Sequence, residues 1–204
     1  LTLKLSPPYS MFDNIDDYSS LTDQEKYKWV EYYKWKFKAT WFSPFTEKLI
    51  LATKTEFGFL GAYNQELGIS PFERFYVGGD GLSGMGYMND GRELVALRGY
   101  ANNSLSPQTG ATIYNKYTAE IRYALSLNPT STMYALAFLE AGNAWEEFDN
   151  FNPFGVKRSV GIGVKIMLPM IGMMGLDYGW GLDEVIGNPE ANGGQFHFSI
   201  GQNF

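Results

Sequence analysis

Residues 32–42 read YYKWKFKATWF, with Lys34, Lys36 and Lys38 set against Tyr33, Trp35, Phe37, Ala39 and Trp41. Alternation this strict predicts an extended strand, because successive side chains then point to opposite faces. Period-two patterning recurs along the whole chain. It predicts a strand end at about 1–6 and strands at about 31–43, 48–60, 112–126, 133–145, 159–168, 173–180 and 195–204. In 112–126, Ile113, Tyr117, Ala119, Ile121, Tyr123 and Leu125 share one face, while Lys116, Thr118, Glu120 and Arg122 share the other. The segment MYALAFLEAGNAW (133–145) carries one charge, Glu140, with apolar residues on both faces around it, so the pattern leaves the facing of that residue open. Most of these strands are longer than the five or six residues usual in soluble sheets and match the roughly nine to eleven of a tilted membrane-crossing strand.

The connections alternate in length. Short ones contain SPFT (43–46), LNPTS (127–131) and PMI (169–171); long polar ones fall at about 7–30, 61–111, 146–158 and 181–194. In an up-and-down meander this puts every tight turn at one end and every long loop at the other. Outer-membrane barrels have that asymmetry, with short periplasmic turns and long extracellular loops. The fold expected is therefore all-β: a transmembrane antiparallel up-and-down β-barrel, with the aromatic rows toward lipid and the lysine rows toward a watery lumen. Trp29, Trp41, Trp145 and Trp180 fall near strand ends, where interfacial aromatic girdles belong. A soluble β-sandwich or lipocalin-like barrel is the competing fold, and strand length and loop asymmetry argue against it.

Composition changes this picture little. A mean hydropathy of −0.22 looks soluble, but in a barrel lipid-facing and lumen-facing residues cancel in the average. Aromatic residues make up 17% of the 204-residue chain and 23 positions are glycine, as in an all-β protein rich in turns. The net charge of −6 comes without a cluster of like charges, so no nucleic-acid partner is expected. With no cysteine, a disulfide framework, a thiol nucleophile and a zinc–thiolate site are excluded. The opening LTLKLSPPYS reads as a strand tail entering a Pro-Pro turn, which suggests that an N-terminal part of a longer protein precedes it.

The connection at about 61–111 is far longer than structureless loops usually are. It carries Phe75-Tyr76-Val77-Gly78-Gly79 and Leu97-Arg98-Gly99-Tyr100. In order with the flanking aromatic strands, FLEAGNAW (138–145) and the terminal Phe204, these elements resemble the BamA family of outer-membrane protein assembly factors, over nearly the whole chain. The resemblance implies the last eight or so strands of a barrel of about sixteen, with upstream strands and periplasmic POTRA repeats absent from this sequence. It also implies that the loop folds into the barrel, where Arg98-Gly99-Tyr100 forms a tether and Arg98 pairs with Glu120 and Glu140. Position 140 is Glu where the family often has Asp. Arginine suits the role because its planar fork stays charged and grips carboxylates. Gly78 and Gly79 belong to the same loop and allow sharp turns and close backbone approach.

Gly79, Gly81 and Gly84 match a dinucleotide fingerprint, but no βαβ unit encloses them. His197, the one histidine, lies between Phe196 and Phe198 on the lumen parity and reads as a polar spacer rather than a catalytic base. The acidic pairs Glu146-Glu147 and Asp183-Glu184 read as solvated loop charge, without spacing that favours a metal. No enzyme, cofactor or metal is expected. The last strand, with Phe196, Phe198, Ile200, Gly201 and Phe204, would form one lip of a lateral gate against the barrel's first strand, where an edge can template an incoming strand. The function implied is insertion of nascent outer-membrane proteins in the bacterial outer membrane, with accessory lipoproteins and membrane lipid as further partners. A polypeptide transporter of the same superfamily is the alternative, and a passive pore comes after it.

Overall fold

The computed structural model describes the chain except residues 14, 16–17, 19, 82–91, 129–130, 170–171 and 202–204. Among the described residues the chain forms ten strands: β1 (Thr2–Leu5), β2 (Tyr33–Pro44), β3 (Leu49–Gly61), β4 (Phe75–Val77), β5 (Glu93–Val95), β6 (Ile113–Asn128), β7 (Ser131–Trp145), β8 (Lys157–Leu168), β9 (Gly172–Gly181) and β10 (Gly194–Ile200). Eight of them form one antiparallel sheet in the order β1-β2-β3-β6-β7-β8-β9-β10, an up-and-down meander that constitutes part of a β-barrel. The remaining two, β4 and β5, pair in parallel inside the long loop. β2, β3, β6, β7 and β8 have 12, 13, 16, 15 and 12 residues, enough to project beyond a hydrocarbon layer that about nine to eleven tilted residues cross.

The two faces of the sheet differ as the alternation requires. Outward rows carry exposed apolar side chains: Trp35, Phe37 and Trp41 on β2, Ile121 and Tyr123 on β6, Ile162 on β8, Leu176 and Trp180 on β9, and Phe196 on β10. Inward rows carry Lys34, Lys116, Glu120, Glu140, Lys165, Asp177, His197 and Ser199, all buried. The aromatic row of the 31–43 strand therefore does face outward. Its lysine row is not uniformly in water, however: Lys34 is fully buried, because the long loop fills the space beside it.

β10 stops at Ile200. Gly201, expected within the last strand, has left the extended region at φ +66, although its N–H still donates to the Met173 carbonyl at 2.7 Å. Phe204 lies outside the described residues, as does Gly84. The loop between β1 and β2 includes the 3-10 turn Tyr9–Met11 and the helical turn Asp23–Lys26, the latter started by a reciprocal capping box between Thr22 and Glu25. An apolar cluster of Leu60, Phe75, Val77, Leu97, Tyr100, Leu105, Ala111 and Tyr114 packs the long loop against the inner ends of β3 and β6.

Candidate functional site

The long loop owes its form to a few local features. Phe75 and Ala111 exchange backbone hydrogen bonds at 2.8 Å, which draws its two ends together. Gly78 and Gly79, at φ +124 and +77, then turn the chain back after β4. A side chain on Gly78 would approach the Ala101 carbonyl to 2.5 Å, and one on Gly79 would overlap Asn102. Gly79 bridges Leu97, and Leu97 is fully buried. The turn thereby delivers Arg98 to the middle of the inward face.

Arg98 meets carboxylates from three strands. Its Nη2 donates to Glu120 Oε1 on β6 at 2.6 Å and to Glu140 Oε1 on β7 at 2.8 Å. Its Nη1 lies 3.4 Å from Asp177 Oδ2 on β9, an ion-pair separation. Its backbone N–H donates to Glu140 Oε2 at 2.8 Å, so Glu140 holds both ends of the residue. The guanidinium stacks 3.6 Å from the centre of the Phe138 ring, a cation–π contact on the apolar row that left the facing of Glu140 undecided. Burial works against the Arg98 charge, but Glu140 and Glu120 more than offset it and raise its pKa further.

The carboxylates have further partners. Arg122 grips Glu120 Oε2 through Nε and Nη2 at 2.8 and 2.6 Å. Lys116 Nζ lies 3.0 Å from Glu140 and donates to the Ala96 carbonyl at 2.6 Å. Lys165 Nζ donates to Asp177 at 2.6 Å and to Ser199 Oγ on β10 at 2.9 Å. A buried charge needs such neighbours, since each ion taken from water costs several kcal/mol. Two atoms are less well served: among the described residues Arg98 Nη1 and Asp177 Oδ1 are buried without a hydrogen-bond partner.

Gly99 and Tyr100 tie the same segment to the last hairpin. Gly99 sits at φ +87, and a Cβ there would come within 2.8 Å of the Gly181 nitrogen. Gly179 and Gly181 leave room for this backbone contact, because a side chain on either would strike Gly99. The Gly99 N–H donates to His197 Nε2 on β10 at 2.8 Å. Tyr100 is fully buried; its hydroxyl donates to the Arg158 carbonyl at 2.7 Å and accepts from the Asp183 N–H at 3.3 Å. Tyr100 also bridges Asn192, and the Ala101 N–H donates to the Ala191 carbonyl at 2.7 Å.

A second attachment lies on β2. Lys34 Nζ donates to the Glu73 carbonyl at 2.6 Å and lies 3.0 Å from Glu73 Oε2 and 2.7 Å from Glu93 Oε2. Lys36 Nζ donates to Glu93 Oε1 at 2.7 Å. Burial raises both carboxyls, but the lysines outweigh it: Lys34 and Lys4 hold Glu73 below the ordinary range, and Lys34 and Lys36 hold Glu93 below it. Beside these charges a cavity of about 380 Å³ opens, lined by Lys36, Lys38, Lys54, Glu56, Asp80 and His197 among others.

The structure thus brings Arg98, Glu120 and Glu140 together and puts Gly99 and Tyr100 against β9 and β10. Phe196, Phe198 and Ile200 are on the outward face of β10, away from the clamp. Three readings of the sequence need correction. His197 is not a spacer but the acceptor for Gly99. Asp183 is not simply solvated, since its carboxylate takes Arg158 Nε and Nη2 at 3.0 and 2.7 Å. Lys34 does not face water. Asp177 and Lys116 were missed as partners of the loop, Lys165 as the partner of Asp177, and Glu73 and Glu93 as the loop's own attachment to β2. The signal for the first three was available: each is a charge on the inward parity of its strand. Among the described residues no group of three or more His, Cys, Asp or Glu has metal-holding geometry.

An antiparallel meander with apolar side chains outward and a loop pinned by buried charge to the inward face defines a membrane-spanning β-barrel with an internal loop. The Omp85 superfamily domain matches residues 19–204, and the chain belongs to that superfamily, whose members are outer-membrane proteins of Gram-negative bacteria or organelles. No curated protein matches the chain.

Proposed function

We propose that this chain is the loop-bearing part of a bacterial outer-membrane insertase of the BamA type, which assembles nascent β-barrel proteins at a lateral gate. The superfamily includes both such insertases and secretion transporters. The observation that carries the choice is the hydrogen bond from Gly99 N–H to His197 Nε2. It joins the inner loop to β10, an edge of the eight-stranded sheet. Arg98 fixes the loop to β6, β7 and β9, so the loop holds the edge strand against a rigid wall. An edge strand offers unpaired backbone groups to an incoming strand, and at Gly201 its backbone leaves the extended region. The chemistry needed is exchange of backbone hydrogen bonds, with no covalent step. Nascent outer-membrane proteins, accessory lipoproteins and lipid are the partners this role entails.

The test is a disulfide between position 200 on β10 and the facing position of the first strand of the complete barrel. The expected result is loss of porin assembly under oxidising conditions and recovery on reduction. Porin assembly at the unlinked rate with the bridge formed would sink the gate. The cavity of charged lining favours a second reading, export of one partner polypeptide through the lumen. A long POTRA array upstream would support assembly and a short one secretion.

A further inference from the structure

The segment between β7 and β8 does not stand off into water. It folds back over the outward face of β3, β6 and β7. Phe148 and Phe151 pack their rings against Phe59 at 5.9 and 5.8 Å between centroids, and Phe151 meets Trp145 edge-on at 5.0 Å. Phe59 and Trp145 both lie on the outward parity of their strands, in line with Phe57 and Leu139.

Beneath this segment is a polar pair in an unexpected place. Asn115 and Asn143 face each other across β6 and β7 on the outward parity, the side that otherwise meets hydrocarbon. A bare amide there would be costly for want of partners. The folded segment supplies them: Asn115 Nδ2 donates to the Pro153 carbonyl at 2.8 Å and Asn143 Nδ2 to the Gly155 carbonyl at 2.7 Å. Asn115 is 0% exposed as a result, and Ile113 beside it is buried as well. The segment takes the place of lipid over this patch.

Its own outer surface is apolar at two points. Phe148 is 69% exposed and Phe154 is 87% exposed. Neither hangs on a loose chain. Phe148 opens the 3-10 turn Phe148–Asn150. Phe154 sits in a turn closed by Asn152, whose Oδ1 accepts the Phe154 N–H at 3.1 Å and whose carbonyl accepts the Gly155 N–H at 3.0 Å. Phe148 is linked through Phe59 to the outward apolar row of β3.

We infer that residues 148–156 form a membrane-interface flap, with Phe148 and Phe154 inserted at the boundary between headgroups and acyl chains. The occupant is lipid because the flap extends a surface that lipid already covers. Aromatic side chains belong at that depth, and a segment lying in the interface buries its apolar face by about 5–10 Å. The inference holds whether the barrel inserts or exports.

The chain has no cysteine, so single spin labels can be placed cleanly. Phe154→Cys and Phe148→Cys are labelled in the complete protein, which is reconstituted in phosphatidylcholine vesicles. Ile162→Cys on the outward face of β8 marks lipid, and Asn188→Cys, in the exposed β9–β10 loop, marks water. Retained heat-modifiable migration on gels shows that each variant is folded. The expected result is collision with oxygen exceeding collision with an aqueous nickel chelate at 148 and 154, as at 162, and the reverse at 188. Nickel accessibility at 154 equal to that at 188 would overturn the flap. Shielding from both reagents would put protein, a partner or a second copy, over the rings and would overturn the lipid assignment too.

Discussion

Two ion-pair clusters help to fasten the inner loop, and the signs of charge are reversed between them. At Arg98 the cation is on the loop and the carboxylates, Glu120, Glu140 and Asp177, are on the wall. At β2 the cations Lys34 and Lys36 are on the wall, and the carboxylates Glu73 and Glu93 are on the loop. A loop slipped along the lumen would set like charges together at one place or both, so the pair specifies one docking position. The two also differ in chemistry. Arginine presents a rigid fork to several acceptors, whereas lysine is a compact point charge. Arg98, at 4% exposed, sits among carboxylates that are themselves buried, while Glu73 and Glu93 keep 23% of their side-chain surface in solvent. The first is a deep clamp and the second a shallower clasp.

The largest effect expected is from the clamp. Arg98→Ala leaves Glu140 and Asp177 buried with fewer cations, a loss of about 3–5 kcal/mol by analogy with other broken buried pairs. The folded band on unheated gels should then give way to the unfolded one at a distinctly lower temperature. Arg98→Lys should recover only part of this, because an ammonium cannot serve Glu120, Glu140 and Asp177 with the same geometry. A melting temperature unchanged in Arg98→Ala would mean that Lys116, Lys165 and Arg122 suffice, and the distinction between clamp and clasp would fall.

Much of this is legible in the sequence. The strands of the sheet follow from period-two patterning, because a half-buried strand cannot hide its alternation. The Arg98 tetrad stands out as a motif. The facing of Glu140 could not be read, since Leu136 and Phe138 are inward yet apolar. They are so because Arg98 stacks on Phe138, a contact made by a distant segment. The clasp was invisible for a related reason. Lys34 looks like any lumen lysine, and Glu73 and Glu93 like loop charge, until β4 and β5 pair. Three-residue strands in parallel leave no periodic trace. Asn115 and Asn143, in turn, break the outward row of β6 and β7, and that break was the sequence's only mark of the flap.

A smaller effect separates the clamp from its extension to β10. His197→Leu removes the acceptor of the Gly99 N–H, and an unpaired buried donor costs about 1–3 kcal/mol. His197→Gln keeps a carbonyl acceptor and should come within about 1 kcal/mol of the parent on the same scale. Hydrogen exchange at Gly99 and along β10 reads the difference directly: faster in the leucine variant, near parental in the glutamine one. Equal protection in all three would detach the loop from the edge strand.

The smallest effect is a response of the clasp to acid. Burial raises both carboxyls, but Lys34 and Lys4 hold Glu73, and Lys34 and Lys36 hold Glu93, below their ordinary values. Groups with depressed folded values stabilise the folded state at pH above the unfolded value, about 4.3 for glutamate. That contribution is lost as the pH falls through the lowered folded values. Between pH 5 and 8, on these shifts, the clasp should therefore be constant, and below about pH 4 it should loosen. Protease cleavage within 61–111 should then rise in acid while the strands stay protected. In Lys34→Met the lysine that neutralises both carboxylates is gone; cleavage should already be higher at pH 7, and acid should add less. The partial solvent exposure of both glutamates screens the pair, so this change should be smaller than that in Arg98→Ala. If the loop of Lys34→Met were cut as slowly as the parent's at every pH, the apolar packing of Phe75, Val77 and Leu97 would be holding it without the clasp.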